Sequence, residues 1–344
     1  MAAGERSTIQ DVARAARVHP STVSRVLNAR PELLLRLETR ARVVAAAERL
    51  GYRPSVLARS LRLRRTLTLG MLVPDIANPF FPPIIKGAED IAHARGYTLV
   101  LCNTADVPER EATYLRVLRE RQVDGALIAS TRMADATITA LRADGFPFVL
   151  VNRATRGSID LAVTIDNRAA AGEAIAHLAD LGHRRIAQVA GPQTTTTGAE
   201  RVAGARRALR ARGLDASVVV EAEAWSESAG YRAARQLLNG VDPPSAIFGA
   251  NDLIALGVLR AAREAGLRVP DDLSVVGFND IGESALIDLT TVHVPQEEMG
   301  AAAARLLIAA LEHEPLAERR VVLPARMVVR GSTAAPRLAA LEIA

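Results

Sequence analysis

The run Val18-His19-Pro20-Ser21-Thr22-Val23-Ser24-Arg25-Val26-Leu27-Asn28 decides how the rest of the chain is read. Set on a helix, Val23, Val26 and Leu27 recur at i, i+3 and i+4 and make one apolar face, while Ser21, Thr22, Ser24, Arg25 and Asn28 occupy the remaining surface. Pro20 suits a first helical turn, where its missing N–H leaves no hydrogen bond unmade, and His19 then stands at the cap. Upstream, Thr8 to Ala16 predicts a second short helix, with Thr8 as N-cap, Asp11 three residues on, and Ile9, Val12, Ala13 and Ala16 as its apolar stripe. Two short helices joined by a tight turn form a helix-turn-helix. Its second helix offers hydroxyls sized for phosphates and one arginine able to fork onto guanine. The other reading of this stretch alone is an amphipathic helix pair in a small helical domain that touches no nucleic acid.

Composition narrows the function classes. The chain has 344 residues, 49% hydrophobic and 24% charged, enough for two or three domains with sizeable cores. It shows no uncharged apolar run of membrane-spanning length and no signal-peptide h-region, so the expectation is a cytoplasmic protein with no membrane partner. One cysteine, Cys102, excludes an intramolecular disulfide and reads as a buried strand residue; six scattered histidines show no metal-ligand spacing. The net charge of +5 is unevenly spread, about +9 falling within residues 1–65 and −4 on the rest. A basic front joined to a mildly acidic body is the electrostatic footprint of a nucleic-acid-binding end. Lys86 is the sole lysine, so part of the arginine excess reflects codon bias.

Further along, Leu37, Val43, Val44, Ala47 and Leu50 recur at helical spacing before Gly51, predicting a third helix that closes a small core with Gly51 as its C-cap. Pro54 then breaks the chain, and Ser55 can cap a helix of roughly two turns, too short to be stable without a partner. From Leu67 onward short apolar runs alternate with amphipathic helical segments, through strands near 69–73, 98–101, 125–129, 148–151, 162–165, 185–190, 218–220, 246–249 and 274–278. Such alternation requires right-handed crossovers and parallel sheets covered on both faces. Two such halves predict an α/β body of two doubly wound subdomains that binds its ligand at the carboxyl ends of the strands.

These residues are similar to the lac repressor (LacI/GalR) family of bacterial transcription factors across nearly the whole chain. The similarity rests on Thr8-Ile9 with Asp11-Val12-Ala13, on Ser21 to Asn28, on Leu50-Gly51-Tyr52-Arg53-Pro54 and on Leu57-Ala58-Arg59-Ser60-Leu61. It continues with Val73 to Phe81, Leu181 to Ala187, Gly249-Ala250-Asn251-Asp252 and Val276-Gly277-Phe278-Asn279-Asp280. The resemblance implies an all-α helix-turn-helix domain over 1–54, a hinge helix and linker over 55–65, and a periplasmic-binding-protein-like (type I) effector and dimerisation body over 66–332. Within that body it implies an N-subdomain of about 66–161 and 292–320 and a C-subdomain of about 162–291 and 321–332, with a tail from 333 to 344. It places Pro20, Ser21 and Arg25 on base edges, and Thr22, Ser24, Asn28 and Tyr52 on phosphates. Thr8, Ser55 and Ala58 join the DNA-contacting set, and Leu61 is the wedge of a hinge helix that folds when two copies pair over the minor groove. For the effector it implies Phe80, Phe81, Asp166, Arg201, Trp225, Asn251, Asn279 and Asp280.

The function implied is a repressor without cofactor or metal, a homodimer or a tetramer built from it, on a pseudo-palindromic operator, controlled by a sugar or related polar metabolite. A nucleoside or other non-sugar effector with corepressor logic is the alternative, although Thr194 to Thr197 stand where purine-binding relatives place an arginine. Arg17 replaces the family's turn glycine, His19 its small cap, and the segment from Asn28 to Thr39 is about two residues longer, with Leu33-Leu34-Leu35-Arg36-Leu37 in place of a polar cap. Outside this class stand an enzyme, for which no nucleophile elbow, phosphate loop or paired metal ligands are present, and a sugar-transport protein, which the basic front domain disfavours.

Overall fold

The computed structural model describes residues 7–27, 36–52, 65–157 and 159–337. Apart from Arg65, the expected hinge lies outside these residues, and so do Asn28, Ser55, Ala58 and Leu61. The chain divides into two compact units, Met1–Thr66 and Leu67–Ala344.

In the first unit, α1 (Ile9–Ala16), α2 (Pro20–Leu27) and α3 (Leu37–Arg49) enclose a core in which Val12, Val23 and Val43 are fully buried. Thr8 and Asp11 make a reciprocal capping box. Arg17, at the turn, takes left-handed φ 53°, the conformation for which glycine is the usual choice. At the start of α2 the His19 ring accepts the Ser21 N–H through Nδ1 at 3.3 Å. The sequence reading of α3 needs correcting. Leu37 is 84% exposed and Val44 faces solvent, while Ala46 and Ala47 join Val43 inside. Arg36 caps α3 without a side-chain hydrogen bond, and Leu33 to Leu35 lie outside the described residues.

The second unit contains β1 (Thr68–Val73), β2 (Thr98–Asn103), β3 (Gly125–Ile128), β4 (Phe148–Val151), β5 (Ala162–Ile165), β6 (Ile186–Ala190), β7 (Val219–Glu221), β8 (Ala246–Gly249), β9 (Ser274–Val276), β10 (Thr291–His293), β11 (Arg320–Leu323) and β12 (Arg326–Val328). One sheet runs β11-β5-β4-β3-β1-β2 and a second runs β7-β6-β8-β9, every neighbouring pair parallel; β10 and β12 form an antiparallel ribbon. The helices are α4 (Phe81–Ala94), α5 (Pro108–Glu120), α6 (Ala136–Ala143), α7 (Asn167–Asp180), α8 (Thr196–Ala211), α9 (Glu227–Leu238), α10 (Asp252–Glu264), α11 (Gly282–Leu286) and α12 (Gln296–Leu311). Strand alternation sorts the core. Leu69, Met71 and Val73 of β1 face α4 and α12, whereas Leu72 faces the side of α5 and α6 with Leu115, Ile138 and Leu141. Cys102 is buried there, as expected. The cluster on the α4 side runs on without a break through Ile175, Phe248 and Phe278, so the two lobes share one apolar spine.

Three assignments made from sequence change. β5, expected in the second subdomain, pairs with β4 through Leu150 to Ala162 and Val151 to Val163, because its apolar residues complete the first sheet. β11 pairs with β5, so residues 321–323 also belong to the first sheet. The expected tail is no tail up to Arg337: the Ala334 N–H donates to Ser274 Oγ at 3.0 Å, and Arg337 pairs with Asp271 and Asp272. α12 also lacks an amphipathic period, since nine of its positions are buried, and the strand–helix rhythm therefore gives no sign of it.

α4 and α12 approach to backbone contact. A Cβ on Gly300 would stand 1.8 Å from Ile84 O, and one on Gly87 2.0 Å from Glu297 O. Gly300→Ala therefore has to push the helices apart, and the expected loss is about 1–3 kcal/mol. Urea unfolding of the full chain measures it, and an unchanged midpoint contradicts the packing described.

Candidate functional sites

On α2, Ser21 and Arg25 are exposed, Pro20, Thr22 and Ser24 are half-buried, and Val23 and Val26 are buried. The polar face predicted from sequence is thus presented by one short, well-anchored helix. Thr8 is committed locally, its hydroxyl donating to Asp11 Oδ2 at 2.7 Å. Tyr52 packs half-buried against the three-helix core.

In the second unit a cleft of about 350 Å³ is lined by Pro74, Asp75, Asn78, Phe80, Phe81, Ala105, Asp106, Asn152, Arg153, Thr197, Arg201, Ala224, Trp225, Ser226, Asn251 and Asn279. Nearly every one of these lies just past the carboxyl end of a strand. Asn78 and the phenylalanines follow β1, Asp106 follows β2, and Asn152 and Arg153 follow β4. In the second lobe Thr197 follows β6, Trp225 follows β7, Asn251 follows β8 and Asn279 follows β9. Six of the eight residues expected from the resemblance meet here. The Phe80 and Phe81 rings stand edge to face, centroids 5.2 Å apart, while Asn78 Oδ1 accepts the Phe80 N–H at 3.0 Å and holds the turn.

Arg201 is 2% exposed. Its Nε donates to Asn167 Oδ1 at 2.9 Å, its Nη1 to the Ala250 carbonyl at 2.6 Å, and its guanidinium lies 3.7 Å from the centroid of Phe278. Burial pushes it down to about 9, with Asp252 opposing, so it remains a cation at neutral pH. Asp252 is held by Thr291 Oγ1, Ser284 Oγ and the Ile281 N–H, and its burial pushes its own carboxyl up. Arg153, also buried, pairs with Asp106 at 2.7 Å. Four atoms of cleft-lining residues are buried with no hydrogen-bond partner among the described residues: the acceptors Asn152 Oδ1 and Asn279 Oδ1, and the donors Arg153 Nε and Trp225 Nε1. Asn152 and Asn279 also adopt left-handed backbone, φ 64° and 122°, so the strain falls on two residues of the cleft lining.

Two expected effector residues are elsewhere. Asp166 is exposed and caps α7, accepting the Ala169 N–H at 2.9 Å, because that helix start needs an acceptor. Asp280 has left-handed φ 57° and meets Arg330 at 2.7 Å and His293 at 3.0 Å, which joins the segments running between the lobes. Sequence reasoning missed Asn78, Asp106, Asn152, Arg153 and Thr197, although their position after strand ends is a readable signal.

Residues 8–55 match the family described as bacterial regulatory proteins, lacI family, and residues 175–333 the periplasmic binding protein-like domain. The ribose operon repressor of Halalkalibacterium halodurans is 37% identical over 95% of this chain and 97% of its own length. The chain belongs to the LacI family. Catabolite control protein A of Priestia megaterium is likewise 37% identical, over 95% of this chain and 99% of its own. Among solved structures, the lac repressor dimer bound to operator and the anti-inducer ONPF superposes with a TM-score of 0.85 at 28% identity, covering 96% of this chain and 100% of that one. A LacI family regulator from Enterococcus faecium with bound ribose gives a TM-score of 0.68 at 32% identity, covering 78% and 99%. This LacI-family chain is a DNA-binding transcriptional regulator; the relatives are regulators and not enzymes. Among its described residues no helix is long and apolar enough to cross a membrane.

Beside the cleft, a chamber of about 220 Å³ holds Glu111, whose carboxylate accepts from Ser130 Oγ and faces Asp135, Asp106 and Arg132. Glu111 is 5% exposed, and burial lifts it from an ordinary 4.5 to about 7. Between those values the folded state keeps the proton and the unfolded state releases it, so stability falls as pH rises across that window. Thermal melts of the wild type should therefore lose ground from pH 5 to 7.5 relative to Glu111→Gln. Parallel curves for the two proteins contradict the raised carboxyl.

Proposed function

We propose that this regulator works as a cytoplasmic homodimeric repressor of a pseudo-palindromic operator, and that a small carbohydrate bound in the cleft controls it. The observation that carries the effector reading is the mixed lining of the cleft, in which amide, hydroxyl and guanidinium side chains stand beside the rings of Phe80, Phe81 and Trp225. A hydroxyl both donates and accepts, so a polyol satisfies such a mixed set, and its C–H faces suit the rings. The ribose in the Enterococcus faecium neighbour and the ribose operon repressors among the relatives support the same class. Titration calorimetry with D-ribose, D-glucose, cellobiose, adenosine and cytidine tests it, and binding of nucleosides alone contradicts it. Asn279→Gly removes one lone acceptor while suiting φ 122°, so it should hold or raise stability and weaken sugar binding about tenfold.

For the DNA end, α2 presents Arg25 for a guanine and Thr22 for the backbone. Arg25→Ala should cost about 1–3 kcal/mol on the best operator and relax preference at one base pair per half-site. Thr22→Ala should weaken all sequences alike. Equal losses on operator and random DNA for Arg25→Ala demote that residue to a phosphate contact.

A further inference from the structure

Gly191 stands directly after β6, behind the Trp225 indole rather than in the cleft lining. A Cβ built on it would lie 2.3 Å from Trp225 Cη2, 2.4 Å from Cζ3 and 2.7 Å from Cζ2, so the six-membered ring rests on bare backbone. Trp225 itself lines the cleft, and Arg201 lies 5.7 Å from its centroid. A rigid ring held between backbone and cavity has one way to yield. From this we infer that Gly191 is a positioning residue for the effector, setting the depth of the Trp225 wall and so limiting the size of ligand the cleft accepts. This rests on the carbohydrate reading above. The step is one of shape alone. A single methyl at 191 drives the indole into the cavity, which takes room from the ligand.

The chain holds one tryptophan, so its fluorescence reports this ring alone. Gly191→Ala in the full-length protein should shift the emission maximum and change acrylamide quenching. It should also weaken D-ribose binding about tenfold, with D-glucose and cellobiose hit harder, while ligand-free operator binding stays as in the wild type. Trp225→Phe has a ring too short to reach residue 191. The double variant Gly191→Ala with Trp225→Phe should therefore bind D-ribose as Trp225→Phe does alone, the glycine effect having vanished with the indole. Losses that simply multiply in the double variant, or an emission spectrum that Gly191→Ala leaves untouched, overturn the inference. If the wild type binds none of the three sugars, the carbohydrate reading fails, and the emission and quenching of Gly191→Ala still decide whether Gly191 seats the indole.

Discussion

Right-handed crossovers force consecutive parallel strands to end on the same side of their sheet, and in this body both sheets end on one cleft. That constraint explains why residues as far apart in sequence as Asn78, Asp106, Arg153, Trp225, Asn251 and Asn279 share a single cavity. It also explains the chemistry there. Loops leaving strand ends carry amides, aromatic rings and arginines that the sheets themselves have no room for. The folded protein thus gathers polar and aromatic side chains of both lobes on one cavity.

Arg201 shows how the site and the scaffold are joined. It reaches from α8 to the Asn167 amide of α7 and the carbonyl of Ala250, and its guanidinium lies over Phe278, which belongs to the apolar spine shared by the two lobes. A ligand that engages Arg201 therefore pulls on second-lobe groups, one of which is packed into the shared spine. The crossing segments are themselves tied by Asp280, Arg330 and His293. An effector that favours one lobe separation has a continuous set of contacts through which to impose it.

Much of this was legible in the sequence. The strand–helix rhythm placed β4, β5 and β8 at their observed bounds, and the Thr8 cap, the buried valines of α2 and six cleft residues followed from pattern and resemblance. What escaped did so for physical reasons. Leu37 and Val44 fit the helical period yet face solvent, because the buried stripe of α3 runs through Val43, Ala46 and Ala47 instead. α12 is buried over most of its surface and shows no period. Asp166 and Asp280 follow strand ends like true cleft residues, but one is taken by a helix start and the other by a crossing segment. Arg153 was overlooked because its partner Asp106 is far from it in sequence.

The central claim is that occupancy of the cleft and occupancy of the operator are two readings of one equilibrium. The direct measurement is a thermodynamic box with D-ribose, or whichever sugar binds, and a palindromic operator, in which each affinity is determined with and without saturating amounts of the other ligand. The account predicts that the sugar changes operator affinity by the same factor as the operator changes sugar affinity, and that this factor differs from one. A factor of one in both directions, with both ligands bound tightly, contradicts it and leaves the body a dimerisation scaffold with an uncoupled sugar site.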